Sequence, residues 1–156
     1  MADDVTVTVT VNGVRRDARV DGRTSLLELL REVWDLRGTK RGCDHGDCGA
    51  CTVLIDDRPA LACLTLAPLA HGKQVTTIDG GDADPAIARL RAAFVAHDAL
   101  QCGFCTPGQI MAAAGLLKTG DRPDEAVARA WLGGNLCRCA AYPQIRAAVV
   151  AAGGAQ

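Results

Sequence analysis

Cysteine is the residue type in this sequence with the greatest capacity for chemistry. The 156 residues include eight cysteines, and in a reducing compartment that number favours metal ligands or redox groups over a disulfide framework. The cysteines fall into two groups of four, and four ligands in each group predict two metal centres. The first quartet is Cys43, Cys48, Cys51 and Cys63, and the second quartet is Cys102, Cys105, Cys137 and Cys139.

The first quartet has the spacing C-x4-C-x2-C followed by a distant fourth cysteine. This is the plant-type ferredoxin spacing, which holds a [2Fe–2S] cluster. Glycines at 42, 46 and 49 allow the loop to wrap closely around such a cluster. A structural zinc site is the alternative, but zinc ligands usually come as two C-x2–4-C pairs. The first quartet therefore predicts an iron–sulfur cluster.

The second quartet is less specific, because it consists of a C-x2-C pair and a C-x-C pair that are far apart in the chain. A zinc site, a redox disulfide and a second cluster all fit this spacing. Both pairs precede predicted helix starts, where the helix dipole favours anionic sulfur. The spacing alone leaves the three alternatives open.

The elements around the first quartet are predicted to be strands and one helix. Alternating Val and Thr over 5–11 predict a strand, and Asn12-Gly13 predicts a tight turn into a second strand over 14–20. The other predicted elements are a helix that Ser25 and Glu28 cap and that runs to Val33, and strands over 52–55 and near 74–78. Hairpin, helix and further strands indicate an α+β, β-grasp-like domain.

The alanine-rich C-terminal part of the sequence is predicted to be helical. The predicted helices cover 87–94, 106 to about 119, 121 or 122 to 131, and a stretch from about Pro143. A stretch rich in Gly, Asp and Pro from Asp79 to Pro85 predicts a linker. The sequence is thus expected to form two domains, 1–79 and 80–156, with one quartet in each.

Composition excludes several functions. The chain has 17 Lys+Arg and 18 Asp+Glu, a formal net charge of −1, which gives no reason to expect a nucleic-acid partner. Ser25 is the only serine, so a Ser/His/Asp hydrolase is nearly excluded. No apolar run is long enough for membrane insertion, and the first residues lack the features of a signal peptide. We therefore expect a cytoplasmic protein.

Three segments carry a resemblance to a known family. Gly42–Val53 resembles the plant-type cluster loop of the molybdenum hydroxylases, and Gln101–Gly108 and Gly134–Cys139 resemble the second cysteine signature of that family. The family includes xanthine dehydrogenase, aldehyde oxidoreductase and carbon monoxide dehydrogenase. The resemblance implies its small iron–sulfur subunit: a ferredoxin-like domain followed by an all-α four-helix bundle, each with one [2Fe–2S] cluster.

The resemblance also implies partners and a direction of electron flow. Gln101 and Cys139 are implied to lie beside the pterin of a molybdenum cofactor on a large partner subunit, and no residue of this chain is expected to be catalytic. Electrons are implied to pass through the second-quartet cluster and then the first-quartet cluster, usually to FAD on a medium subunit.

The family usually continues its second signature as Cys-Thr-Gly-Tyr, whereas this sequence has Cys139-Ala140-Ala141-Tyr142. The departure is similar to bacterial aldehyde oxidoreductases, so the expected reaction is oxidation of aldehydes to carboxylic acids. Hydroxylation of N-heterocycles and oxidation of carbon monoxide are the close alternatives. A free-standing ferredoxin-like electron carrier and a zinc-stapled interaction module are the alternatives from other classes.

Overall fold

The structure is a computed structural model that describes residues 4–154. One mixed sheet occupies the N-terminal part of the chain, and four longer α-helices occupy the C-terminal part. The strands are β1 (Asp4–Val11), β2 (Val14–Asp21), β3 (Thr52–Ile55), β4 (Arg58–Leu61) and β5 (Gln74–Thr76). The α-helices are α1 (Leu26–Glu28), α2 (Pro85–Ala96), α3 (Thr106–Lys118), α4 (Glu125–Trp131) and α5 (Tyr142–Gly154).

The sheet has the strand order β2-β1-β5-β3-β4, in which only β1 and β5 are parallel. The predicted hairpin is confirmed: Asn12 and Gly13 both have positive φ, and Val11 pairs with Val14. The predicted alternation is confirmed too, since Val7, Val9 and Val11 are fully buried. This hydrophobic face supports the loop that carries the first quartet.

The helix predicted after Ser25 is only partly regular. Its capping box is confirmed, because the Ser25 hydroxyl accepts from the Glu28 amide at 3.1 Å and the Glu28 carboxylate accepts from the Ser25 amide at 2.8 Å. The α-helical turn α1 ends at Glu28, and Leu29–Val33 continue as a π-helix. Short π-helical segments inside helices often mark functional regions.

Strand β4 was not predicted from the sequence. Asp56 and Asp57 form a two-residue turn with φ of 49° and 64°, so that Ile55 pairs with Arg58. The sequence Asp-Asp lacks the glycine that usually announces such a turn. Pro59 also argued against a strand, but β4 lies at the edge of the sheet, where proline is tolerated.

The four predicted helices are present and share one apolar core, which also includes Leu54 of β3. Helix α3 is buried along its whole length from Gly108 to Leu117. The expectation that the third helix opens at 121–123 is wrong: α4 begins at Glu125, and its cap is Asp124, whose carboxylate accepts from the Val127 amide at 2.8 Å.

The segment expected to be a linker is an ordered part of the fold. Ile78–Ala83 form a 3-10 helix, in which the Asp79 carboxylate accepts from the Gly38 amide at 2.9 Å and Gly81 is buried against Ile87. The segment therefore contacts both parts of the chain. The division into domains 1–79 and 80–156 stays a prediction.

Within residues 4–154, no helix is both long and apolar enough to cross a membrane. The cytoplasmic location stays a prediction.

Candidate metal centres

The first quartet lies on the loop before β3 and on the turn after β4. Its thiols lie in two neighbouring pairs, Cys43 with Cys48 and Cys51 with Cys63. The Cys43 amide also donates to the Cys48 sulfur at 3.4 Å. The four predicted ligands are therefore brought together as two pairs.

Backbone amides surround the Cys43 sulfur. The Asp47 and Cys48 amides donate to it at 3.3 Å and 3.4 Å. Hydrogen bonds from three backbone amides lower the pKa of Cys43 to about 6, and the amide of His45 has the largest effect. Hydrogen bonds from amides favour the thiolate, which is the form that binds a metal. The loop is thus built to hold negative charge on this sulfur.

Burial has the opposite effect on Cys51, which is 3% exposed. It raises the pKa of the Cys51 thiol to about 12. A buried sulfur of this kind becomes a thiolate only when a cation compensates its charge. A metal bound by the first quartet would supply that cation.

Glycines let the loop run close to the first quartet. A Cβ at Gly42 would lie 2.6 Å from the Cys48 sulfur, too close for any side chain. Gly49 has φ of 68°, a conformation that glycine adopts without strain. Both positions fit a loop that closes around a bulky inorganic group.

The second quartet is brought together by the helices. Cys105 is the N-cap residue of α3, and Cys137 and Cys139 lie between α4 and α5. The thiols again lie in two neighbouring pairs, Cys102 with Cys139 and Cys105 with Cys137. This arrangement confirms the expectation that both cysteine pairs lie near helix starts.

The electrostatics of the second quartet repeat those of the first. The amide of Phe104, followed by the Cys139 thiol, lowers the pKa of Cys102. Burial raises the pKa of Cys105 to about 12. The Cys137 amide donates to the Tyr142 hydroxyl at 2.8 Å, which fixes the backbone between the last two cysteines. Each quartet therefore combines one cysteine whose pKa is lowered by backbone amides with one whose pKa is raised by desolvation.

Pairs of thiols are the ligand set of a binuclear cluster. In a [2Fe–2S] cluster with four cysteine ligands, each iron takes two thiolates. The donor sets of both quartets fit [2Fe–2S].

A pocket of about 340 Å³ lies between the two quartets. Cys48 of the first quartet lines one part of it, and Cys102, Cys105 and Cys137 of the second line another. Cysteines of both quartets therefore face the same cavity.

Gln101 is exposed and adjoins Cys102, the exposed cysteine of the second quartet. The Cys102 thiol neighbours that of Cys139, and the placement of Gln101 and Cys139 beside a pterin stays a prediction.

Two functional candidates were missed by the sequence reasoning. Asn135 is 7% exposed and Gln109 fully buried, and they are hydrogen-bonded to each other between the two quartets. Asn135 stands directly between Gly134 and Leu136 in the second cysteine signature. A polar residue in such a segment was a usable signal, whereas nothing in the helical pattern singled out Gln109.

Comparison with known families accounts for both quartets. Residues 9–68 match the family described as the 2Fe-2S iron-sulfur cluster binding domain. Residues 77–150 match the family described as the [2Fe-2S] binding domain. The regions matched contain all eight cysteines. These matches favour iron–sulfur clusters over zinc or a redox disulfide in the second quartet.

Relatives that align with nearly the whole of this chain are iron–sulfur or small subunits of oxidising enzymes by name. The aldehyde oxidoreductase iron-sulfur-binding subunit PaoA of Escherichia coli O157:H7 is 45% identical over 95% of this chain and 71% of its own length. The nicotine 6-hydroxylase small subunit of Paenarthrobacter nicotinovorans is 44% identical over 98% of this chain and 92% of its own length.

Solved structures extend the likeness to the fold. A chain of quinoline 2-oxidoreductase from Pseudomonas putida 86 has a TM-score of 0.89 and 41% identity, with 97% of this chain and 95% of that chain covered. Aldehyde oxidoreductase from Desulfovibrio gigas has a TM-score of 0.87 and 38% identity, with 96% of this chain but only 17% of that chain covered. The chain described here belongs to the family of iron–sulfur electron-transfer subunits of the molybdenum hydroxylases.

Proposed function

We propose that this chain is a two-cluster electron relay in a molybdenum hydroxylase that oxidises aldehydes to carboxylic acids. The observation that carries the proposal is the grouping of the eight cysteines into two quartets of neighbouring thiol pairs, with one cysteine of the first quartet and three of the second lining the same pocket. Each [2Fe–2S] cluster supplies a centre that accepts and releases one electron. The chain's own residues hold the two centres and fix their relative position.

Each of the two parts of the fold is proposed to hold one cluster. The first quartet holds one cluster in a ferredoxin-like domain, residues 1–79, and the second holds the other in a four-helix bundle, residues 80–156. Two separate apolar cores support this division, one beneath the sheet and one among α2 to α5. The amides around Cys43 stabilise the charge of the first centre, and that of Phe104 stabilises the charge of the second.

The large molybdenum-containing subunit is proposed to dock beside the second quartet, with Gln101 and Cys139 next to the pterin. Exposed apolar side chains around this quartet support a protein interface, since Phe104 is 48% and Leu136 55% exposed. In this position Gln101 offers an amide donor and acceptor to a polar cofactor.

The acceptor is proposed to be FAD on a medium subunit that docks beside the first quartet. Leu64 and Leu69 are more than half exposed close to Cys63 in the chain. These leucines would give the second partner an apolar contact of its own. A free-standing carrier needs only one cluster and one docking surface, so the two-quartet arrangement favours the relay.

N-heterocycles are the second candidate substrate class. Relatives named for aldehydes and for nicotine are almost equally similar to this chain, at 45% and 44% identity. The aldehyde assignment is preferred because of the Ala140-Ala141 departure in the second cysteine signature. Both candidates use this chain in the same way, because the substrate pocket would lie on the large subunit.

The test is a gentle affinity purification from the native host, with iron, molybdenum and flavin quantified per copy of this chain. We expect about four iron atoms per chain, two for each cluster, together with molybdenum and flavin. The purified complex should reduce an artificial electron acceptor in the presence of an aromatic aldehyde.

Each other result would change one part of the proposal. Four irons without molybdenum would favour the free carrier, and zinc in place of iron would refute the relay. Turnover of quinoline without turnover of aldehydes would assign the N-heterocycle class. Molybdenum without flavin would leave a two-subunit enzyme with a different acceptor.

A further inference from the structure

A buried asparagine lies where the backbones of the two quartets are hydrogen-bonded to each other. The Leu136 amide donates to the Cys48 carbonyl at 2.9 Å. Leu136 directly precedes Cys137, and Cys48 belongs to the other quartet. The sulfurs of Cys48 and Cys137 are therefore connected through covalent bonds and this one hydrogen bond. Asn135 is the residue immediately before this junction.

The Asn135 side chain holds the first-quartet loop. Its amide nitrogen donates to the Gly49 carbonyl at 2.9 Å and lies 3.4 Å from the Thr52 hydroxyl. Thr52 donates to the same carbonyl at 2.7 Å. Because Gly49 directly follows Cys48, these bonds fix the peptide next to the acceptor carbonyl of the junction.

The Asn135 backbone is held from the other side. Its carbonyl accepts from the Gln109 side chain at 2.8 Å, and Gln109 is fully buried in α3. Asn135 is therefore fixed between the helix that follows Cys105 and the loop that contains Cys48. A buried amide group keeps such a position because losing its partners costs free energy.

Electron tunnelling weakens less steeply along covalent and hydrogen-bonded atoms than across an empty gap. We propose that Asn135 is a positioning residue that maintains the Cys48–Leu136 hydrogen bond as the route of the electron between the two clusters. One electron leaves the cluster of the second quartet and enters that of the first, with no bond broken and no proton moved. The inference rests on the proposed function, which supplies the two clusters.

The test compares Asn135→Ala with Trp131→Phe in the full chain loaded with iron. The control is matched, because the Trp131 indole also donates one hydrogen bond to a backbone carbonyl, that of Ala112 at 2.8 Å. The inter-cluster transfer rate is measured by freeze-quench electron paramagnetic resonance after one-electron photoreduction. Hydrogen exchange of the Leu136 amide is measured as a readout that does not depend on activity.

In Asn135→Ala, we expect transfer to slow by about tenfold at unchanged cluster potentials, because a small misplacement at a junction has a large effect on rate. The Leu136 amide should also exchange faster. Trp131→Phe should leave both quantities at the wild-type values. Wild-type transfer and exchange in Asn135→Ala would overturn the proposal.

If Asn135→Ala does not retain both clusters, the same measurements are made on Gln109→Met. This variant removes only the donor to the Asn135 carbonyl, and slower transfer is expected again; an unchanged rate would overturn the proposal. Iron analysis distinguishes a failure of the proposed function from a failure of the role of Asn135. A wild-type chain without two clusters overturns the proposed function and this inference together, whereas two clusters with an unchanged rate overturn the role of Asn135 alone.

Discussion

Gly108 of α3 faces the carbonyl of Gly49 so closely that no side chain fits between them. A Cβ on Gly108 would overlap that oxygen and would lie 2.9 Å from the Cα of Ala50. Gly49 directly follows Cys48, and Gly108 lies in the first turn of the helix that Cys105 caps. The two quartets are therefore joined by direct contact between backbones.

This contact predicts that Gly108→Ala destabilises the fold. The added methyl group would force the helix away from the loop, and such overpacking typically costs about 1 to 3 kcal/mol. Chemical denaturation of the full chain measures the free energy of unfolding. Gly133→Ala is the control, because a Cβ there would meet nothing within 4 Å. Equal stabilities of the two variants would contradict the close contact.

Serine substitutions in the two quartets should have separate effects on iron content. Cys63→Ser should remove the first cluster and leave the second, and Cys102→Ser should do the reverse. Each variant is expected to keep about two of four iron atoms. Both should lose turnover with an acceptor that takes electrons from the first cluster. Wild-type turnover in Cys102→Ser would refute the relay, and loss of all iron from both variants would refute independent clusters.

In the iron-free chain, the cysteines should differ in reactivity with iodoacetamide. Amide hydrogen bonds lower the pKa of Cys43 to about 6, so its reactive thiolate should form as the pH rises through about 6. Burial raises the pKa of Cys51 and Cys105 to about 12, so both should stay unmodified at pH 7. Peptide mass spectrometry measures each rate. Equal labelling of Cys43 and Cys51 at pH 7 would contradict this prediction.

The capping box predicts a pH-dependent contribution to stability. The Ser25 amide lowers the pKa of the Glu28 carboxyl from 4.5. The stabilisation is therefore present above pH 4.5 and is lost as the pH falls through the lower folded value. At neutral pH, Glu28→Gln should cost about 0.5 to 1 kcal/mol.

The difference in unfolding free energy between wild type and Glu28→Gln should shrink in acid. The more exposed Glu32, in the π-helix Leu29–Val33, provides the control substitution Glu32→Gln. A difference that stays constant as the pH falls from 7 to well below 4.5 would contradict the proposed role of the Glu28 charge.

Much of the fold followed from local rules in the sequence. The hairpin at Asn12-Gly13 and the helix that begins at Thr106 were predicted because backbone freedom and proline geometry act over a few residues. The turn at Asp56-Asp57 was missed, because positive φ in two aspartates has no strong local signal. The start of α4 was misplaced because Asp121 and Asp124 are both suitable caps.

The candidate site, too, was only partly predictable from the sequence. The cysteine spacing of the first quartet predicted its cluster, since three of its four cysteines lie on one short loop, whereas the second quartet joins two pairs that are far apart in the chain. The contacts of Asn135 with Gly49 and of Gln109 with Asn135 were not predicted, because they join residues that are 86 and 26 positions apart. Such contacts depend on how α3 packs on the loop, which no local pattern specifies.

The strand order of the sheet has a consequence for how the chain can meet other strands. Its two outer strands are β2, which carries Arg15, Arg16, Asp17 and Arg19, and β4, which carries Arg58 and Pro59. Charged residues and proline make an edge strand a poor template for another strand. The edges of the sheet that supports the first quartet are therefore poor sites for strand-to-strand aggregation.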